Sequence, residues 1–197
     1  MGYFYIRNRE LHYAPGQPAG LLSLEDHPQA LLPPLVTELH RSLDAWFALG
    51  LAPGPVLPER LRFDREGTLY WRFAGRRRPR PLALHQAAQT LAAWLVLLDK
   101  WMETFVVIAR ARGVWDVPTL AGALSFTTPA YLPAPLVNRP PDNWERVAQA
   151  LALAVADGPL AGAPNNRHWQ LQRSPNGQAA PGTDPAMRGP RAGVSHE

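Results

Sequence analysis

A single stretch, residues 82–112, constrains the fold more strongly than any other part of the sequence. Apolar side chains recur along it at the spacing of an α-helix and cover about half of the circumference. At about 1.5 Å per residue, one helix here would be about 46 Å long and would cross a whole small domain. We therefore predict a predominantly helical α+β fold built around one long central helix.

Two further helices are expected to pack on this central helix. Residues 35–49 place apolar side chains on one face, with Pro33 and Pro34 suited to the first turn and Gly50 to the stop. Residues 142–156 form the second helix. Asp142 and Glu145 have the spacing of a reciprocal N-terminal cap.

Short β-hairpins should flank the helices. Residues 3–7 and 11–13 surround a turn at residues 8–10, and residues 61–73 alternate apolar and polar side chains around Gly67. Prolines interrupt residues 114–141, where we expect a short helix near 118–126 and then an extended segment. Its docking side chains would be Tyr131, Leu132, Leu136 and Val137.

The composition changes near residue 158. Residues 158–197 contain six prolines and six glycines and few large apolar side chains, so they cannot offset the entropy lost on ordering. We predict one helix-rich domain over residues 1–157 and a disordered tail over residues 158–197.

Several classes of chemistry lack their usual residues. The chain has no cysteine, which excludes disulfides, thiolate nucleophiles, iron–sulfur clusters and zinc sites that need sulfur. It has no glycine-rich phosphate loop and no serine nucleophile elbow, and its six histidines are scattered. We therefore expect no metal and no cofactor, and we consider an enzyme the less favoured interpretation.

The most apolar stretch does not suit a membrane. Asp99, Lys100 and Glu103 lie within it, and each would cost about 2–3 kcal/mol at the centre of a bilayer. The N-terminus lacks the pattern of a signal peptide. We predict no membrane insertion and a cytoplasmic, bacterial protein.

The main candidate site is basic. The formal net charge is +4, with Lys100 as the only lysine, and arginines cluster between the second hairpin and the long helix. Beside an exposed Tyr70 or Trp71, these arginines could clamp phosphates, stack on bases or bind an acidic protein. The alternative is a solvated connector in which they pair with nearby carboxylates. The candidate residues are Arg62, Arg72, Arg76, Arg77, Arg78 and Arg80.

Two carboxylate-containing pairs are weaker candidates. Asp99 and Glu103 lie one turn apart on the polar side of the predicted helix, a spacing that suits an acid–base pair but is common in structural helices. His40 and Asp44 have the same spacing, and Asp44 could orient a functional imidazole. We favour a structural role for both pairs.

The tail contributes one candidate, Trp169, which stands with Leu171 between arginines in a polar segment. Such an aromatic can anchor a disordered segment to a partner. Together these features favour a non-catalytic protein–protein interaction protein: an adaptor, an assembly factor or a small subunit of a complex. The alternatives are a nucleic-acid-binding protein that uses the cluster at residues 76–80, and an enzyme that uses Asp99 and Glu103.

Overall fold

The computed structural model describes residues 2–73, 78–138 and 143–158. The strands in this part of the chain are β1 Gly2–Arg7, β2 Glu10–Pro15, β3 Leu51–Ala52, β4 Leu61–Phe63, β5 Leu69–Phe73 and β6 Arg80–Pro81. The α-helices are α1 Pro33–Ala48, α2 Gln86–Leu98, α3 Thr104–Arg112, α4 Val117–Leu124, α5 Ala134–Val137 and α6 Asn143–Ala156. Two short 3-10 helices, Pro28–Ala30 and Pro58–Arg60, lie between these elements.

Both predicted hairpins are confirmed. β1 pairs with β2 across a two-residue turn in which Asn8 and Arg9 have positive φ, and β4 pairs with β5. The hairpins do not stand separately, however, because β1 also pairs with β5. The result is one four-stranded antiparallel sheet in the order β2-β1-β5-β4, and β3 pairs with β6 in a second, two-stranded sheet.

The core lies between the larger sheet and the helices. Helix α1 packs its Leu39, Leu43 and Trp46 inward with no exposed surface, as its apolar spacing predicts. One face of the sheet supplies Phe63 and Trp71 to the same cluster. Alternation along the strands turns Arg62 and Arg72 to the other face.

The predicted α+β fold, predominantly helical with one long central helix over residues 82–112, is wrong. Of the described residues, 47% are helical and 17% are in strands, and the four-stranded sheet forms part of the core. The long stretch forms two helices, α2 and α3, with a turn at residues 99–103 between them. Residues 82–85 precede α2, and His85 adopts a left-handed conformation at its start.

The break has a long-range cause. Glu103 is extended at ψ 134°, so the helical path stops there. The Asp99 carboxylate, with no exposed side-chain surface, accepts a hydrogen bond from the Thr104 hydroxyl and one of 2.5 Å from Nη2 of Arg146 on α6. These contacts turn the chain, and α2 is then buried almost all round rather than on one face, which is typical of a core helix.

The remaining predicted elements agree with the structure only in part. The short helix near 118–126 is present as α4, and Leu132 and Leu136 are buried as expected, but Tyr131 is 55% exposed. Helix α6 is confirmed, while Asp142, its predicted cap, lies outside the described residues. The predicted tail lies outside them as well, apart from Gly158. Within the described part of the chain, no helix has the length and hydropathy needed to cross a membrane.

Gly67, in the turn between β4 and β5, should tolerate a side chain poorly. Its φ is +87°, and a β-carbon built on it would lie 2.5 Å from Cβ of Glu38 on α1. We expect Gly67→Ala to lower the free energy of unfolding by about 2–4 kcal/mol, through backbone strain and through separation of the turn from α1. Gly20→Ala is the matched control because Gly20 has a φ of +76° and open space around it. Urea denaturation should show a smaller loss of unfolding free energy for the control. Equal losses would mean that the approach of Gly67 to α1 does not contribute to the effect.

Candidate functional site

A groove of about 660 Å³ lies where the small sheet meets the start of α2. The β3–β6 pairing places Ala52 opposite Arg80 and so brings the proline-rich loop after β3 beside the approach to α2. Pro53, Gly54 and Pro55 form one wall of the groove. The same pairing fixes where Arg78 and Arg80 lie, because both belong to the segment around β6.

Arginines supply the charge at the rim of the groove. Arg60, Arg78 and Arg80 line it and are exposed, and none of the described residues that line it is acidic. No ion pair involves these three arginines within the described residues; the carboxylates of Asp64 and Glu66 face Arg7 instead. Such a surface attracts anions, because no carboxylate competes for the guanidinium groups.

The floor of the groove is neutral and rich in hydrogen-bond donors. Gln86, Gln89 and Thr90 reach it from the first two turns of α2. The side-chain oxygen of Gln86 already accepts a hydrogen bond of 3.0 Å from the backbone N–H of Ala83, which leaves its NH₂ group to donate. Thr90 is only 8% exposed, and its hydroxyl is a further neutral group on the side of α2 that lines the groove.

The remaining wall is apolar and aromatic. Phe73 from β5 and the exposed ring of Tyr131 line it, and the carbonyl of Pro55 accepts a hydrogen bond of 3.3 Å from the Trp71 indole.

Comparison with protein-family models, curated proteins and solved structures finds no match to this chain. A groove of this size with a few polar groups on an apolar wall has the dimensions of a ligand or side-chain site.

The structure brings together only part of the predicted basic cluster. Arg78 and Arg80 share the groove, but Arg62 donates to the carbonyls of Pro58 and Leu61, at 3.4 and 2.6 Å. Arg72 is half-buried on the outer face of β5. Tyr70 and Trp71, expected to be exposed beside the arginines, are buried. The other candidates, Arg76, Arg77 and Trp169, lie outside the described residues.

Two residues of the groove were missed in the sequence. Arg60 ends a 3-10 helix and is twenty positions before Arg80, so only the β3–β6 pairing reveals their common location. Thr90 belongs to an apolar helical run, and nothing in the residues around it marks it as a binding residue. Neither residue carries a local motif that would have identified it.

The predicted Asp99 and Glu103 pair does not share a helix. Asp99 is the C-cap of α2 and is buried against Arg146, whereas Glu103 is exposed at the start of α3. Both residues line a second groove of about 710 Å³ with Phe105 and Leu153 on its walls. Within the described residues, no group of three His, Asp or Glu side chains is arranged to hold a metal ion.

His40 and Asp44 also have separate partners. The Trp94 indole donates to Nδ1 of His40 at 2.9 Å, and Nε2 of His40 lies 3.3 Å from the carbonyl oxygen of Val107. Complete burial lowers the pKa of His40 to about 3, against the effect of the Val107 hydrogen bond. Asp44 accepts a bond of 2.9 Å from Trp115, and its pKa is raised chiefly by burial. These contacts tie α1 to α2 and α3 and leave the imidazole without solvent access.

Proposed function

We propose that this chain is a non-catalytic protein–protein interaction protein that receives an acidic segment of a partner in the groove lined by Arg60, Arg78 and Arg80. One observation carries the proposal: three exposed arginines line one groove, and no acidic side chain is among the described residues that line it with them. Arginine suits this role because its planar group can donate two parallel hydrogen bonds to one carboxylate.

The arrangement favours a protein segment over a nucleic-acid strand. Binding to a phosphate backbone uses a row of cations that follows the strand, often with stacking aromatic side chains. Arg62 instead contacts backbone carbonyls, and Trp71, expected to be available for stacking, is buried. A compact groove with proline and aromatic walls matches a short peptide better, because the apolar side chains of the peptide would contact Phe73 and Tyr131.

The expected affinity is modest. Exposed ion pairs contribute about 0.2–1 kcal/mol each, so three guanidinium groups give at most a few kcal/mol of charge-dependent binding. Specific affinity must also come from the apolar walls, while the charges accelerate encounter. We therefore expect micromolar binding that weakens as salt is raised.

Reversal of two groove charges should weaken the binding of an acidic peptide at least tenfold. The variant is Arg78→Glu/Arg80→Glu, and the probe is a fluorescent twelve-residue peptide of alternating Glu and Leu, measured by anisotropy at low salt. The physical reason is that two attractive pairs become repulsive at the rim of the groove. The control, Arg65→Glu/Arg110→Glu, makes the same change in net charge at two exposed arginines outside the groove.

Equal weakening by both double variants would contradict the proposal, because only the net charge would then matter. A single-stranded mixed-sequence oligonucleotide serves as the competing probe. If it binds more tightly than the peptide and is released by the groove variant alone, the nucleic-acid alternative replaces the proposal.

A further inference from the structure

We infer that the anion recognised in this groove is a phosphate monoester carried by the partner segment, an inference that rests on the proposed function and specifies its ligand. The groove combines three cations on the rim with neutral donors on the floor. A phosphorylated serine or threonine side chain presents a doubly charged, acceptor-only group at the end of a short stem, which matches this two-layer arrangement.

The groove is rich in hydrogen-bond donors. Each guanidinium has five N–H donors, and the NH₂ of Gln86 and the hydroxyl of Thr90 add to them. Two acceptors near these donors are already bonded: the Gln86 side-chain oxygen accepts from the Ala83 N–H, and the Pro55 carbonyl accepts from the Trp71 indole. A carboxylate offers two oxygens, whereas a phosphate monoester offers three strong acceptor oxygens and more charge.

Thr90 contributes a neutral donor that no carboxylate-based recognition requires. It lies on the face of α2 that lines the groove, and its hydroxyl can donate a hydrogen bond to a ligand oxygen that enters the groove. Its location in the first turns of α2 also places it near the positive end of the helix dipole, which favours an anion.

The groove also distinguishes a monoester from the diester of a nucleic acid. A monoester can be inserted end-on, since its phosphorus bears three terminal oxygens, while a phosphodiester has two and is flanked by sugars on both sides. Arg60, Arg78 and Arg80 all line one groove of about 660 Å³. Recognition of phosphorylated segments by arginine clusters is a recurring mode of peptide binding.

The experiment compares three peptides that differ at one position. Each has the same neutral, proline-containing flanks and carries phosphoserine, glutamate or serine at its centre; binding to the full chain is measured by anisotropy. We expect the phosphoserine peptide to bind at least tenfold more tightly than the glutamate peptide, and the serine peptide to bind most weakly. Inorganic phosphate at millimolar concentration should displace the phosphoserine peptide.

Thr90→Val tests the floor of the groove without removing charge. The isosteric change deletes the hydroxyl donor, and we expect it to weaken the phosphoserine peptide about tenfold but the glutamate peptide less than threefold. Thr37→Val on α1 is the control, because Thr37 is a half-buried helical threonine away from the groove. Far-UV circular dichroism and thermal melting establish that both variants are folded.

The outcomes separate this inference from the proposed function. If glutamate and phosphoserine peptides bind equally and the Arg78→Glu/Arg80→Glu variant loses both, the acidic groove ligand is retained and the phosphate preference is overturned. If neither of these peptides binds but the twelve-residue acidic peptide does, the phosphate preference alone is overturned; if the acidic peptide does not bind either, both proposals fail. If inorganic phosphate binds as tightly as the phosphoserine peptide, or the oligonucleotide binds more tightly, a phosphate on a protein partner is not the ligand.

Discussion

A His40→Leu variant is expected to lose about 2–4 kcal/mol of unfolding free energy at pH 7. The substitution leaves the Trp94 indole N–H buried without an acceptor and removes the hydrogen bond to the carbonyl of Val107. His40 has no exposed surface, so water cannot replace either partner. Urea denaturation followed by tryptophan fluorescence measures the loss.

The difference in unfolding free energy between the wild type and His40→Leu should shrink as the pH is lowered. Burial lowers the pKa of folded His40 to about 3, while the unfolded residue titrates near 6.5. Between these values the unfolded chain binds more protons, so wild-type stability falls as the pH is lowered through this window. From pH 7 to pH 5 the expected loss from this one group is about 2 kcal/mol, since each pKa unit corresponds to about 1.4 kcal/mol. The leucine variant lacks this loss.

His40→Gln separates hydrogen bonding from titration. Its amide can accept from Trp94 and donate to Val107, so we expect it to be more stable than His40→Leu at pH 7 and equally free of the acid-dependent loss. The pKa of Asp44 is raised, so its contribution to stability increases as the pH is lowered toward 3.8, opposite to that of His40. Because Asp44 is present in all three proteins, its contribution cancels in the comparison. Parallel pH profiles for the wild type and both variants would exclude His40 as the source of acid sensitivity.

The local features of the fold could be predicted from the sequence. Helix α1 and the two hairpins carry their own periodicity, turn residues and stops, and each forms where these signals place it. The pairing of β1 with β5 could not be predicted in the same way. It joins segments more than sixty residues apart, and neither segment contains a residue type that selects the other.

The turn between α2 and α3 was missed for a similar reason. Apolar residues continue at helical spacing on both sides of residues 99–103, so periodicity alone favours one helix. The partner that stabilises the turn, Arg146, is 47 positions beyond Asp99. The groove follows this pattern too: the sequence indicated Arg78 and Arg80 as a basic segment, while Arg60 and Thr90 join them only through tertiary structure.

Arg146→Ala should destabilise the chain by about 2–3 kcal/mol and act mainly on the turn between α2 and α3. The change leaves the Asp99 carboxylate, which has no exposed side-chain surface, with the Thr104 hydroxyl as its remaining partner among the contacts described. Loss of one member of a fully buried ion pair costs about 3–5 kcal/mol, but Arg146 is 53% exposed, so solvent screening reduces the effect.

Arg146→Lys should recover only part of this stability. The guanidinium spans two acceptors, with Nη2 on Asp99 at 2.5 Å and Nε on the Thr104 oxygen at 2.8 Å, and one ammonium group cannot reproduce that planar arrangement. Arg110→Ala, at an exposed arginine of α3, is the control and should change the unfolding free energy by less than about 0.5 kcal/mol.

A double-mutant cycle with Asp99→Ala and Arg146→Ala then measures the pair itself. We expect a coupling of about 1.5–2.5 kcal/mol, because the second substitution costs little once the first has removed its partner. The coupling should fall only slightly in 0.5 M NaCl, since one partner is buried and poorly screened. Additive single losses would mean that the ion pair does not hold the turn, and that packing of α3 against α1 and α6 interrupts the long helix instead.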